Sequence, residues 1–165
     1  MTPGFTVRSP DEEDWRELRD LRLEMLADTP IAYLETLETA RTHDEAYWRR
    51  RARPRTDGGI SVVAVTDDGR WVGTMAGIPG VGGPTLVGVY VAPGFRGRRV
   101  GVTDALLDAV ETWARGHAGV LRLEVNELNV RARVAYERRG FVLTGRTSPY
   151  PLDPPSLELE MIKRL

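Results

Sequence analysis

The sequence predicts an α/β fold. The expected architecture is a single domain over 1–165, with a mixed, mostly antiparallel central sheet of six to seven strands and helices on both faces. Three observations carry this. The hydrophobic period is helical in the N-terminal third, turns strand-like at Ile60 and becomes helical again at Asp104. The strand–helix–strand unit from 85 to 125 needs a right-handed crossover and parallel pairing, while the hairpins elsewhere are antiparallel. The chain has 165 residues, 41% apolar and 28% charged, which suits one soluble domain with a core of its own.

The elements follow in order. Phe5–Arg8 reads as a short first strand. Ser9 as N-cap, Pro10 at the first helical position and Glu12 closing a capping box predict a helix start. Trp15, Leu18, Leu21 and Met25 then recur at helical spacing until Asp28-Thr29-Pro30 ends the helix. Ile31–Arg41 has no clean period. Thr42 and Glu45 form a second capping box, which opens a helix through about Arg53, and a loop runs to Gly59. Ile60–Thr66, Trp71–Ile78 and Thr85–Val91 read as a three-stranded meander, with Asp67-Asp68-Gly69-Arg70 as its first hairpin turn. Asp104–Gly116 is a helix that buries Leu106, Ala109, Val110 and Trp113. Val120–Val125 alternates as a strand. Asn129–Arg139 is a helix stopped by Gly140 as the left-handed residue, with Phe141 packing back on its last turn. Phe141–Arg146 and Leu157–Ile162 are the last strands, joined by Thr147–Ser156, which holds four prolines.

Composition excludes several functions. The net charge is −1 and the pI about 6.2, which argues against a dedicated nucleic-acid binder. Without cysteine there is no disulfide, thiolate-ligated zinc or cysteine nucleophile. The two histidines, His43 and His117, lie far apart in polar surroundings and read as surface residues, so no metal site is expected. The N-terminal stretch has no apolar run of a signal peptide, and no segment approaches the ~20 apolar residues of a membrane span. A cytoplasmic protein with neither nucleic-acid nor membrane partners is the expectation.

Two stretches carry chemistry. Thr85–Leu107 reads as strand, Pro-Gly turn, basic glycine loop and helix start. Free backbone N–H groups and the positive end of a helix dipole favour an anion there, and Arg96, Arg98 and Arg99 add charge. An ordinary turn with solvated arginines has the same local pattern. In the second stretch, Asn129, Ala132 and Tyr136 line one helix face over two turns. Taken alone, Asn129 reads as a cap and Tyr136 as a half-buried core aromatic.

Taken together, these residues resemble the GNAT superfamily of acetyl-CoA-dependent N-acetyltransferases. Asn129, Ala132, Tyr136, Gly140 and Phe141 match the spacing of its second signature. Its first signature, Arg/Gln-x-x-Gly-x-Gly/Ala, fits in two frames. Counted from the strand, Arg99 occupies the first glycine position and Gly101 the second; counted back from the helix, the signature falls on Arg98, Gly101 and Thr103. A two-residue insertion accounts for the difference, and the helix-based frame keeps the first glycine. The resemblance implies an acyl-CoA N-acyltransferase-like fold, with acetyl-CoA as co-substrate and no metal.

The resemblance also implies roles. The pantetheine arm would lie along strand 85–91, bonded to backbone at Val89 and Val91, as an added strand. The pyrophosphate would sit at the loop and helix start, held by Arg96, Arg98, Arg99, Val100, Gly101, Val102 and Thr103. Asn129 would hold the arm, the Val91 N–H would serve the oxyanion, and Tyr136 would protonate the leaving thiolate. Glu124 on the next strand is the nearest acidic group for a general base; it reads equally as a surface glutamate, and a water chain or no dedicated base would serve too. Tyr33, Glu35, Glu38 and Tyr90 would face the acceptor. The expected reaction is direct attack by a primary amine, of a small molecule or a peptide, in a ternary complex. Homodimers are common in the family. A non-catalytic acyl-CoA sensor, or an enzyme using another acyl group, stands as the alternative.

Overall fold

A computed structural model of the chain describes residues 3–165. The strands are β1 (Phe5–Arg8), β2 (Ile60–Thr66), β3 (Trp71–Ile78), β4 (Thr85–Val91), β5 (Val120–Asn126), β6 (Val142–Tyr150) and β7 (Asp153–Arg164). They form one sheet in the order β1-β2-β3-β4-β5-β7-β6, antiparallel everywhere except between β4 and β5. The helices are α1 (Trp15–Asp28), α2 (Leu37–Arg41), α3 (Glu45–Ala52), α4 (Val102–Arg115) and α5 (Val130–Glu137). This is the mostly antiparallel α/β architecture that the sequence predicts. No helix among the described residues is long and apolar enough to cross a membrane.

The core follows from the patterns. Val62, Val63 and Ala64 are all buried, with α4 packed on β2 and α1 on its neighbour β3. On α4, Val102, Leu106, Val110 and Ala114 recur every four residues and are fully buried against the sheet. The valines and Leu106 contribute roughly 1.5–3 kcal/mol each. Gly77 lets this helix approach: a Cβ there would meet the Trp113 ring. Trp15, Trp48 and Ala52 form a smaller cluster that fastens α3 to α1.

Helix starts differ from expectation. Asp11, rather than Ser9, caps a 3₁₀ turn at Glu12–Asp14 that leads into α1. Asp14 Oδ2 accepts from Asp11 N–H at 2.8 Å, while both Asp14 oxygens accept from Arg8 on β1. That added arginine fixes the acidic box two residues later than Ser9 predicts. Asp44, rather than Thr42, caps α3 and accepts from Tyr47 N–H at 2.8 Å. Thr42 instead closes α2, donating to the Thr39 carbonyl at 2.7 Å. With five residues, α2 is too short to show a period. α4 begins at Val102, two residues before the predicted start.

The last hairpin is longer than predicted, with Pro149 in β6 and Pro154 and Pro155 in β7. β6 is the sheet edge, where a missing N–H costs no ladder bond.

Candidate active site

A split in the sheet creates the site. β4 and β5 share one registered pair, Thr85↔Arg122, supported by Arg122 N–H on the Pro84 carbonyl at 3.0 Å. Beyond it the two strands diverge. A bulge in β4 turns the strand: Ala76 faces Val87 and Thr74 faces Tyr90, so β4 has one residue more than β3 over that interval. Gly88 takes up the extra residue at φ 60°, a conformation that L residues adopt only at a cost. Ala92 N–H bonds Val72 O at 2.8 Å and Tyr90 pairs with Thr74. By antiparallel alternation, the Val91 N–H and C=O therefore point into the gap.

Side chains from distant segments hold the split. The Tyr33 hydroxyl donates to the Val89 carbonyl at 2.8 Å, and the Tyr150 hydroxyl donates to the Tyr33 carbonyl at 2.6 Å. β4, the loop after α1 and the end of β6 are thus tied in series. Arg96 Nε donates to Val91 O at 2.7 Å while its Nη2 meets Asp28 at 2.6 Å. Arg96 is thereby turned toward the end of α1. Burial opposes ionisation of Asp28, but hydrogen bonds from Thr29 and Arg96 outweigh it and hold the carboxyl below its ordinary range.

A cavity of about 1070 Å³ passes through the gap. On one side it meets Arg98, Thr103, Asn129 and Tyr136; on the other it meets Leu18, Arg22 and Tyr33. Gly101, at φ 82°, stands immediately before α4, and its own N–H reaches back to Gly97 O at 3.4 Å. The Ala105 N–H bonds Gly101 O, so the amides of Val102, Thr103 and Asp104 start the helix without an intrahelical partner. Arg98 donates to the Arg138 carbonyl at 2.8 Å, and Arg139 meets Asp104 at 2.7 Å, which fixes α5 beside the start of α4. Arg99 is exposed on the loop and Val100 half-buried, while the Val102 side chain belongs to the core.

Asn129 caps α5, its Oδ1 accepting from Ala132 N–H at 3.4 Å, and is 8% exposed. Tyr136 packs edge-on against Phe141 at 5.7 Å between ring centroids. Among the described residues its hydroxyl has no hydrogen-bond partner. Burial pushes its pKa up, only partly offset by Arg139.

On the acceptor side the acidic residues are differently engaged. Glu35 accepts from Arg22 Nε at 3.2 Å and meets His43 Nε2 at 2.8 Å. Burial would raise its carboxyl, but the His43 and Arg22 hydrogen bonds hold it below the usual range. Glu35 is therefore a committed partner and not a free anion for a cationic substrate. His43 is half-buried and stacked on Tyr47, with ring centroids 3.6 Å apart, rather than a plain surface residue. Glu38 is exposed on α2 and does not line the cavity. The Tyr90 hydroxyl donates to Glu24 at 2.9 Å; burial, then that carboxylate, raises its pKa. Glu124 lines the cavity from β5, largely exposed, with an oxygen 3.7 Å from Arg122.

Sequence reading missed Glu158 on β7. It is 8% exposed, lines the cavity, and lies opposite Asn126 in the β5–β7 register. Burial first, and Glu124 second, push its carboxyl above the ordinary glutamate value. The alternation of β7 carries the signal, since Glu158 and Glu160 share a face, but only the packing distinguishes them. Glu160 is neutralised by Arg122 at 2.6 Å. No group of three or more His, Asp or Glu among the described residues is arranged to hold a metal ion.

The split sheet, the glycine-led helix start and the partnerless tyrosine define an acyl-transfer class of site. The model of the acetyltransferase (GNAT) family matches residues 15–141, and the chain belongs to that family. Nourseothricin acetyltransferase is similar at 31% identity over 68% of this chain and 69% of its own, with a TM-score of 0.59. A GCN5-related N-acetyltransferase from Kribbella flavida is similar over 98% of both chains, at 23% identity and a TM-score of 0.73. An acetyltransferase from Bacillus anthracis, solved in complex with acetyl coenzyme A, is similar over 70% of this chain and 67% of its own, at 19% identity and a TM-score of 0.60. No curated protein sequence matches significantly.

Proposed function

We propose that the chain transfers an acetyl group from acetyl-CoA to a primary amine, by direct attack within a ternary complex. The observation that carries this reading is the unpaired edge of β4, which opens on one side to the α4 start and Tyr136 and on the other to the α1–α2 segment. Acetyl-CoA supplies the activated acyl group when bound. The chain's own residues supply the rest.

The free amides of Val102, Thr103 and Asp104, with the positive end of α4, suit a pyrophosphate. That placement favours the frame Arg98, Gly101, Thr103, with Arg99 and Val100 on the loop before it. With their carbonyls held by Tyr33 and Arg96, Val89 and Val91 offer their N–H groups for β-augmentation, and the Val91 N–H is aimed where an oxyanion would form. The Asn129 amide nitrogen is left to hold the pantetheine arm, since its oxygen caps α5. Tyr136 donates a proton to the departing thiolate, a contribution of at most about 10²–10⁴-fold. Tyr33, Tyr90 and the Arg22–Glu35 pair shape the acceptor's approach. Glu124 is the acidic group of β5 that faces it.

The test is release of free thiol across a panel of primary amines: a short alkylamine, an amino-acid amide, and peptides with a free N-terminus or a lysine. Tyr136→Phe should lower kcat by about 10-fold or more and leave the Kd for acetyl-CoA unchanged. Equal turnover by the variant would remove Tyr136 from the chemistry. Tight binding with no thiol release on any amine would make the protein a sensor.

A further inference from the structure

We infer that Glu158 is the proton acceptor for the amine and the anchor of its ammonium form. The inference rests on the transferase reading above. Its ground is an imbalance of partners. Asp57, Glu124 and Glu158 line the main cavity, Glu160 lines the smaller one and Glu35 binds the cavity's Arg22; all but Glu158 are engaged, Asp57 by Arg55. Glu35 holds Arg22 and His43, Glu160 holds Arg122 and Thr144, and Glu124 lies 3.7 Å from Arg122. Glu158 is more buried than a solvated glutamate, at 8% exposed, yet it has neither a cation nor a hydrogen bond among the described residues.

Its oxygens open onto the cavity and are not sealed in the core, so an incoming cation can reach a carboxylate that no protein group has claimed. Glu158 lines both the main cavity and a smaller one shared with Glu124, Arg146 and Glu160. The β5–β7 register places it across from Asn126, beyond the point where β5 has left β4, and diagonal to Glu124. An ammonium entering from the α1 side meets this carboxylate at the split.

The groups that face Glu158 are Glu124 on β5, Arg146 and Tyr150 on β6, and Glu160 with its Arg122 on β7 and β5. Arg22, Arg50 and Arg51 stand elsewhere on the same cavity wall. Burial and the Glu124 charge both favour the protonated form of Glu158, so it takes up a proton more readily than an ordinary glutamate.

The protons balance as follows. One ammonium proton passes to the Glu158 carboxylate and then to water, leaving a neutral amine. The amine nitrogen forms the C–N bond as the C–S bond breaks. The second proton lost by nitrogen offsets the one Tyr136 gives to the thiolate. One proton is released per turnover.

The test uses the full chain, acetyl-CoA and the same amine panel. Glu158→Gln should lower kcat/KM by about 10²–10⁴-fold at pH 7, with the Kd of acetyl-CoA unchanged. The gap should narrow as pH rises and the neutral amine becomes abundant. Glu124→Gln should move the acidic limb of the wild-type profile to lower pH. At pH 7 the Tm of Glu158→Gln should be unchanged or higher, because the buried charge is gone. Wild-type turnover matched by Glu158→Gln, or a lower Tm with intact kcat/KM, overturns the role of Glu158 and leaves the transferase reading standing. A wild-type protein that binds acetyl-CoA and acetylates no amine removes both.

Discussion

Glu35 and Glu158 are both glutamates of the acceptor side, and their neighbours give them opposite uses. Glu35 neutralises Arg22, whose side chain is 12% exposed and whose own pKa burial lowers first and nearby Arg51 second. Removing it leaves a guanidinium largely out of water with only the Tyr33 ring, 5.2 Å away, beside it. Glu35→Ala should therefore destabilise the fold by about 1–3 kcal/mol, below the cost of breaking a fully buried pair because solvent reaches both groups. The urea midpoint measures this. Loss of activity without loss of stability would mean instead that Glu35 contacts the acceptor. Tyr33 is the other residue whose role its contacts define, since its hydroxyl occupies the Val89 carbonyl. Tyr33→Phe should cost about 1 kcal/mol of stability, from one hydrogen bond, and loosen the bulge.

Among the elements, β4 matters most. Its bulge separates it from β5 and so makes the cavity. Nothing lies within 4 Å of a Cβ built on Gly88, so a side chain there meets no steric obstacle. The cost is conformational, because φ is 60°. Gly88→Ala should lose about 1–2 kcal/mol of stability if the bulge persists. If the bulge relaxes instead, β4 straightens toward β5. In either case the Kd of acetyl-CoA should rise, as calorimetry would show; an unchanged Kd at lowered stability would detach the bulge from cofactor binding. α4 shows the same logic at its start, where left-handed Gly101 frees three amides.

At the scale of the whole molecule, charge pairing sets the response to acid. Asp14, Asp28, Glu35 and Glu160 all have folded pKa values below their unfolded ones, through partners Arg8, Thr29 and Arg96, His43 and Arg22, and Arg122 and Thr144. A depressed carboxyl contributes stability that is present above the unfolded value and disappears as pH falls through the folded one. Glu158 has the opposite sign, so its contribution improves as pH falls. Depressed groups outnumber it. The urea midpoint should stay flat from pH 8 to about 6 and fall below about pH 4. A midpoint that rises on acidification would mean that Glu158 and its neighbours dominate.

The sequence by itself determined the strands at 60–66, 71–78 and 85–91, whose bounds the structure reproduces, because β-branched runs and Gly, Pro and Asp punctuation are local signals. It also determined the Asn129 cap and the left-handed Gly140, at φ 93°, for the same reason: cap and stop act on their own helix. Only the tertiary structure decided that Asp11 and Asp44 start their helices, because Arg8 and the close of α2 compete for the nearby signals. It alone placed Tyr33 on β4, Tyr150 on Tyr33 and Arg96 away from the helix start. These contacts join segments far apart in the chain through single hydrogen bonds, and no spacing records them. Glu158 is the sharpest case: in the sequence it is one of two glutamates on the face of a strand, and burial without a partner is what sets it apart.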